Sequence, residues 1–371
     1  MHQMCCSRIN ICMIALLTSS WAGLSQNTLR GKITDEKNGE PVPYANVFFT
    51  NTTLGAPTIE DGTFEIRNIP NGKYDLTISM IGYKRFQRVV ELRDSTANIR
   101  IALKQSPENL AGVTVVADQA DNKKYFSTFR KLFLGESRNA RHSEILNPNE
   151  VHLFFDEDLK ILTGHASKPI VVENRALGYR CIYILDRFEL NFKTSTQSLL
   201  GVARFEELPA GDRKDSLRRE NRRLVAYRGS LNHFVRSLFA NKLEQEKFRV
   251  VSVTINPNTA TGPAYKGVEY PINVAERLSG STVKTFSFRG TLKVEYQGEE
   301  EEWEYRNAKT KSSNNQVSFL KFPKTTITLF ENGYYTDPLG IYLEGYLAWS
   351  ETIGERLPLS YYPPELGKDQ K

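Results

Sequence analysis

No run of about 20 apolar residues occurs outside the first 30 positions, so no later segment can cross a bilayer as a helix. Cysteine is scarce: Cys5, Cys6, Cys12 and Cys181 are the only four. Three residues after His142, His152, His165 and His233 stand Ile145, Phe155, Lys168 and Arg236. None of these is acidic, so the His and Glu ligand pair of a zinc carboxypeptidase is missing. An HExxH helix, a Gly-x-Ser-x-Gly elbow and a phosphate-binding P-loop are missing too. No metal, cofactor or catalytic residue is therefore assigned, and no internal repeat is visible.

What is present reads as an ordinary globular chain: 371 residues, 40% apolar and 25% charged, enough for two domains and short extras. Arg8, the apolar run Ile11 to Leu17 and the small residues after it have the layout of a secretory signal peptide over residues 1–25. Gly23 and Ser25 suit a cut before Gln26, and no Cys follows the run as a lipoprotein signal would need. Export would leave Cys181 as the one cysteine, without an intrachain disulfide. It lies in the apolar run Cys181 to Leu185 and reads as a small buried hydrophobe. Setting Arg8 aside lowers the formal charge from +6 to +5, too mild an excess for a nucleic-acid binder.

From Leu29 to Leu103 short alternating strands are separated by turns every 8–12 residues, including Asp61-Gly62 and Asn71-Gly72. The pattern predicts an antiparallel β-sandwich. Gly31-Lys32-Ile33, Gly39-Glu40-Pro41-Val42-Pro43-Tyr44-Ala45-Asn46-Val47, Asp61-Gly62-Thr63-Phe64-Glu65-Ile66, Pro70-Asn71-Gly72-Lys73-Tyr74 and Ile81-Gly82-Tyr83 carry a more specific signal. Residues 27–104 resemble the carboxypeptidase regulatory-like domain, a transthyretin-like sandwich of exported proteins in Bacteroidetes-type bacteria. The resemblance implies a structural or interaction module rather than the peptidase itself.

Residues 105–122 read as a linker. Within it, Glu108 to Ala117 resembles the segment that joins this module to the plug of TonB-dependent receptors. Only 254 residues follow Ala117, too few for a receptor barrel of about 22 strands. Residues 123–363 mix helix and strand and are expected to form an α+β domain, with a tail over 364–371. The expected elements include a helix ending at Gly135 and strands at Pro169–Val172, Tyr179–Asn191, Val202–Leu208, Arg249–Ile255, Thr285–Tyr296, Glu302–Arg306, Val317–Phe322 and Thr325–Leu329. A helical region is expected over about Asp212 to Glu246, a hairpin turn at Asn332-Gly333 and a last strand at Gly345–Trp349. The layout of Phe133 to Ala140, Leu177-Gly178-Tyr179, Tyr227 to Phe234 and Gly345-Tyr346 resembles uncharacterised relatives that carry the same N-terminal module.

The helical region is the most informative segment. Between Arg213 and Arg228 there are seven cations and two acids, a local +5 that matches the whole excess. At 100° per residue Leu217, Leu224, Leu231, Val235 and Leu238 share one face, and Arg218, Arg219, Arg222, Arg223, His233 and Arg236 fall opposite. These six are the candidate binding residues, for an anionic surface such as lipid headgroups or lipopolysaccharide, or for an acidic envelope protein. A plain solvated helix face is the other reading. Gly229 is placed to split the helix and Ser230 to cap its second half, with His233 a surface residue. Asp156-Glu157-Asp158 and Glu299 to Glu302 read as an acidic turn and a solvated hairpin tip rather than cation sites. Trp303 and Trp349 read as core rather than sugar-stacking platforms.

The function expected from these features is a non-enzymatic, exported cell-envelope protein of the periplasm or outer membrane, with a binding or scaffold role. An envelope enzyme acting on glycans or peptides stays open and would show a pocket with two convergent carboxylates. A glycan-binding accessory protein of TonB-dependent uptake stays open too, and would show coplanar exposed aromatics.

Overall fold

The computed structural model describes residues 27–106, 119–255, 267–307, 313–336 and 340–364. The expected leader over 1–25, the linker segment Glu108 to Ala117 and the tail beyond Pro364 lie outside the described residues.

Seven strands build the N-terminal sandwich: β1 (Asn27–Asp35), β2 (Asn46–Phe49), β3 (Gly55–Pro57), β4 (Thr63–Ile69), β5 (Gly72–Ser79), β6 (Phe86–Leu92) and β7 (Thr96–Leu103). One sheet has the order β4-β1-β7 and the other β3-β2-β5-β6. Inward positions close over Leu29, Ile33, Phe49, Ile69, Leu76 and Ile78, all fully buried. The expected antiparallel arrangement holds with one exception. β7 runs parallel to β1, from Thr28 opposite Thr96 to Asp35 opposite Leu103. The chain crosses to the other sheet through β5 and β6 before it returns, and such a crossover permits a parallel pair. Gly62 turns at φ +78°, where a β-carbon would stand 2.5 Å from the Ile33 carbonyl oxygen, so the Asp61-Gly62 turn requires glycine.

Helix α1 (Gln119–Leu134) begins inside the stretch expected as linker and ends at Gly135, whose φ is +90°. It packs Phe129 and Phe133 onto a six-stranded sheet. The strands are β8 (Ser143–Ile145), β9 (Val151–Asp156), β10 (Ile161–Ala166), β11 (Ile170–Asn174), β12 (Tyr179–Asn191) and β13 (Thr196–Glu207). Cys181 lies buried in this core, and burial pushes its thiol up to about 12, which leaves it unreactive.

The expected single helical region is two helices, α2 (Arg213–Tyr227) and α3 (Leu231–Ala240). The break falls at Gly229, with φ +75°, and Ser230 caps α3 by accepting from the His233 N–H. A second mixed region follows, with β14 (Phe248–Ile255), β15 (Gly267–Pro271), β16 (Leu278–Ser279), β17 (Lys284–Ser287), β18 (Gly290–Tyr296), α4 (Trp303–Asn307), β19 (Gln316–Phe322), β20 (Thr326–Leu329), β21 (Tyr342–Gly345) and α5 (Tyr346–Ser350). A five-stranded sheet β15-β14-β18-β19-β21 and a small sheet β16-β17-β20 enclose a separate core around Phe234, Phe286, Leu292 and Leu320. The part beyond the sandwich is thus mostly β, with two apolar clusters and helices on their surfaces.

Three expected strands are corrected. Thr285–Tyr296 breaks between β17 and β18, which belong to different sheets. Glu302–Arg306 and Gly345–Trp349 are largely helical, as α4 and α5. Aromatic packing overrides local β-propensity here. The Tyr305 ring stands edge-on to Tyr346 at 5.2 Å and tilts against Trp349 at 5.3 Å, which ties α4 to α5.

The sandwich is docked on this part at several points. Asn51 N–H donates to the Ala203 carbonyl at 2.7 Å, and Phe205 N–H donates to that of Thr52 at 2.9 Å. Asn332 Nδ2 reaches the Lys73 carbonyl at 2.9 Å, and Arg85 pairs with Asp186 at 2.7 Å. Among the described residues no helix is long and apolar enough to cross a membrane.

Candidate functional site

The six candidate residues do not form one face. Asp212 caps α2 by accepting from the Asp215 N–H at 2.7 Å, which fixes the helix start and hence its phase. Arg219 and Arg223, four residues apart, then turn inward over the end of β13 and the turn before β12. Arg219 Nη1 donates to the Leu208 carbonyl at 2.9 Å and its guanidinium pairs with Asp215 at 2.8 Å. Arg223 Nε donates to the Leu177 carbonyl at 2.7 Å, and its Nη1 pairs with Glu207 at 2.6 Å. Arg236, 7% exposed, spreads its fork over the carbonyls of Asn332, Leu359 and Tyr361 and stacks 4.0 Å over Tyr362.

His233 is buried rather than on the surface. Its Nδ1 accepts the Gly229 N–H at 3.1 Å, which leaves Nε2 to donate to Glu246 at 3.2 Å. Burial lowers its pKa, against the pull of Glu246. Only Arg218 and Arg222 keep the outward role, and Arg218 pairs with Asp215 at 2.5 Å.

The expected apolar face holds on α3, where Val235 and Leu238 are buried, but fails at Leu217 on α2, which is 51% exposed, as is Val225 at 53%. Guanidinium–carbonyl bonds from Arg219 and Arg223 hold α2 together with the packing of Ala226 and Tyr227. Sequence phase does not reveal this, because long arginine stems cover apolar surface as readily as leucine does.

The outward side of α2 forms one wall of a cleft of about 880 Å³. Lys214, Leu217, Arg218, Asn221, Arg222 and Val225 contribute to that wall. Glu299 to Trp303, the run read as a solvated hairpin tip, line the same cleft. That reading is overturned: Glu301 is only 2% exposed, while Trp303, read as core, is 58% exposed. The floor carries Glu351 and Glu355 from the turn after α5, four residues apart, a signal the sequence reading passed over.

Burial dominates the electrostatics of the acidic side. It pushes Glu299 up to about 7, with Glu302 adding and Arg228 opposing. Glu355 is also pushed up to about 7, mainly by burial and then by Glu302, although hydrogen bonds from Ser137 and Asn139 oppose it. Asn139 Nδ2 donates to Glu355 at 2.9 Å, and Ser137 Oγ donates to its other oxygen. Burial raises Glu302 and Glu351 as well, each of which accepts one backbone N–H, from Arg138 at 3.0 Å and from Leu231 at 2.7 Å.

Elsewhere, the Asp156 side chain caps its own exposed turn by accepting from Asp158 N–H and Leu159 N–H. No group of three or more His, Cys, Asp or Glu side chains that could hold a metal ion occurs among the described residues.

No curated protein matches the chain. Among solved structures, a Bacteroides fragilis protein described as membrane-associated and of unknown function is 18% identical, with a TM-score of 0.18, over 43% of this chain and 64% of its own. A chain of a type II cohesin–X–dockerin complex from Acetivibrio cellulolyticus is 22% identical, with a TM-score of 0.18, over 20% of this chain and 51% of its own. Catechol 1,2-dioxygenase from Pseudomonas arvilla C-1 is 13% identical, with a TM-score of 0.19, over 24% and 56%. This chain thus spans between about half and two thirds of each neighbour, and at such scores none of their chemistry transfers to it. The family comparison is specific: residues 29–115, which include all of β2 to β7 and most of β1, are a CarboxypepD_reg-like domain.

Proposed function

We propose that the protein is an exported, non-enzymatic binding component of the cell envelope. In this reading the CarboxypepD_reg-like domain is a docked platform, and the cleft beside α2 receives an extended peptide segment of a partner. The observation that carries it is one open cleft lined both by the cations Lys214 and Arg222 and by the acidic run Glu299 to Glu302, of which Glu300 pairs with Arg306 at 3.0 Å. An anionic bilayer fits this poorly. Arg219, Arg223 and Arg236 are spent on structure, and the acidic run would repel lipid phosphates. A glycan-binding platform is less favoured because only one large exposed aromatic, Trp303, stands among the described cleft residues. A peptide offers both signs of charge and side chains for Leu217, Val225 and Trp303.

The test is a titration of residues 26–371 carrying Trp349→Phe, which leaves Trp303 as the tryptophan, with a library of mixed-charge peptides, followed by quenching of its fluorescence. Binding that Arg222→Glu abolishes supports the reading. No binding by any peptide refutes it. A second reading, peptide or glycan hydrolysis, draws on Glu299 and Glu355, whose pKa values near 7 suit general acid–base work. Cleaved products in the same incubations, lost in Glu299→Gln and Glu355→Gln, would establish it. Fractionation checks the export expectation: mature protein from envelope fractions should begin near Gln26.

A further inference from the structure

We infer that His152 and His165 are the protein ligands of a site for a late divalent transition metal, copper(II) first. The site lies outside the cleft and does not depend on the peptide-binding reading. The two residues stand directly opposite each other on β9 and β10, in an antiparallel register that runs from Asp156 opposite Ile161 to Val151 opposite Ala166. Their half-buried rings stack, with centroids 5.0 Å apart and planes inclined by 25°. They occupy the face of the six-stranded sheet turned away from α1. Leu153 and Leu162, fully buried on the other face, anchor the same two strands in the core. Ligands on neighbouring strands of a packed sheet are held in place before an ion arrives.

The ring nitrogens carry the argument. A neutral imidazole has one N–H and one lone pair. Neither nitrogen of His165 has a hydrogen-bond partner among the described residues, so a lone pair is free in either tautomer. His152 Nε2 stands 2.6 Å from Ser167 Oγ. With that hydroxyl accepting, Nε2 carries the proton and the Nδ1 lone pair is free. A ligating imidazole is commonly held in this way, through a hydrogen bond from its other nitrogen. Rotation about χ2, a soft torsion in histidine, turns one nitrogen of each ring towards a shared ion.

The remaining histidines of residues 26–371 are placed differently. His233 has both ring nitrogens engaged, by Gly229 and Glu246. His142 stands by the Arg138 carbonyl at 2.9 Å. Lys168, next to Ser167, is paired with Glu150 at 2.9 Å, which offsets its charge. Two imidazoles, with water in the other positions, suit copper(II), which heads the affinity order for nitrogen ligands and takes a tetragonal N,O shell. Magnesium and calcium need oxygen ligands instead.

The test titrates the tag-free mature chain with copper(II), zinc and magnesium sulfates, followed by calorimetry and by the copper paramagnetic resonance spectrum. One copper per chain should bind with nitrogen hyperfine structure, zinc should bind more weakly, and magnesium should not bind. His152→Ala and His165→Ala should each weaken copper by about tenfold or more, and His142→Ala should leave it unchanged. Unchanged copper affinity in folded His165→Ala would overturn the proposal, as would no copper binding at all. Magnesium binding as tightly as copper would overturn it too, by placing the ion on carboxylates. Should either variant fail to fold, imidazole NMR of the unmodified protein decides. Zinc-induced shifts at His152 and His165 support the site, and shifts confined to His142 or His233, or none, refute it.

Discussion

The guanidinium of Arg223 lies 4.1 Å over the ring of Tyr179, the first residue of β12. A charged group drawn onto an aromatic face and fully engaged with carbonyl oxygens is a structural strut rather than a binding finger. Arg219, one turn earlier, is held by the Leu208 and Pro209 carbonyls and by Asp215. The positive excess of α2 therefore has two halves, one locked into the fold and one facing the cleft.

Substitution should separate those halves. Arg223→Gln removes the Tyr179 stacking and the bonds to Leu177 and Glu207, and should cost about 1–3 kcal/mol, as should Arg219→Gln. Arg222→Gln should stay within about 0.5 kcal/mol of the parent, since surface changes rarely do more. Denaturant midpoints for the three variants check this. Equal losses in all three would mean that Arg222 is structural too.

At Gly229 the left-handed backbone and the close Gln316 oxygen both exclude a side chain. Gly229→Ala should destabilise by about 1–2 kcal/mol from conformation alone, with the steric clash adding to it. Thermal melting measures the loss. A melting temperature equal to the parent's would show that the α2–α3 turn relaxes freely.

The docking of the sandwich gives another handle. Tyr334 Oη donates to Asp75 at 2.9 Å, and burial raises the pKa of that carboxyl while the tyrosine opposes the rise. Tyr334→Phe leaves a half-buried carboxylate without this donor, so it should cost about 1–3 kcal/mol. Thermal melting of the full mature chain should show the loss, while a separate fragment of residues 27–104 should still melt cooperatively. A fragment with no cooperative melting would contradict independent folding of the sandwich.

The contrast between α2 and the sandwich shows where sequence is legible. The sandwich is written in period-two alternation and in turn glycines such as Gly62, so local patterns suffice to place its strands. Gly229 and Ser230 likewise announced the helix break. The cleft is not local. Glu299, Gln316 and Glu355 are brought together only when three elements pack, and a run of four glutamates reads as solvated until its cover is known. Leu217 misled for the same reason: its exposure is decided by arginines that bond to distant carbonyls.

Glu355 offers the sharpest prediction about pH. Glu355 is only 9% exposed, and burial pushes its carboxyl up to about 7 in the folded chain, against 4.5 for the free side chain. Between those two values the folded protein keeps a proton that the unfolded chain releases. Stability from this group is therefore full below about 4.5, falls as pH rises towards 7, and is level above it. The loss is about 3–4 kcal/mol, with Glu299, Glu302 and Glu351 acting in the same direction. Glu355→Gln keeps an acceptor for Asn139 Nδ2 and cannot ionise, while its amide nitrogen would face the Asn139 N–H that now donates to Oε1, a cost that is the same at every pH. The variant should gain on the parent steadily from pH 5 to pH 7.5, measured by denaturation at each pH. Parallel profiles for the two proteins would show that Glu355 ionises normally, and the case for an acid held neutral on the cleft floor would fall with it.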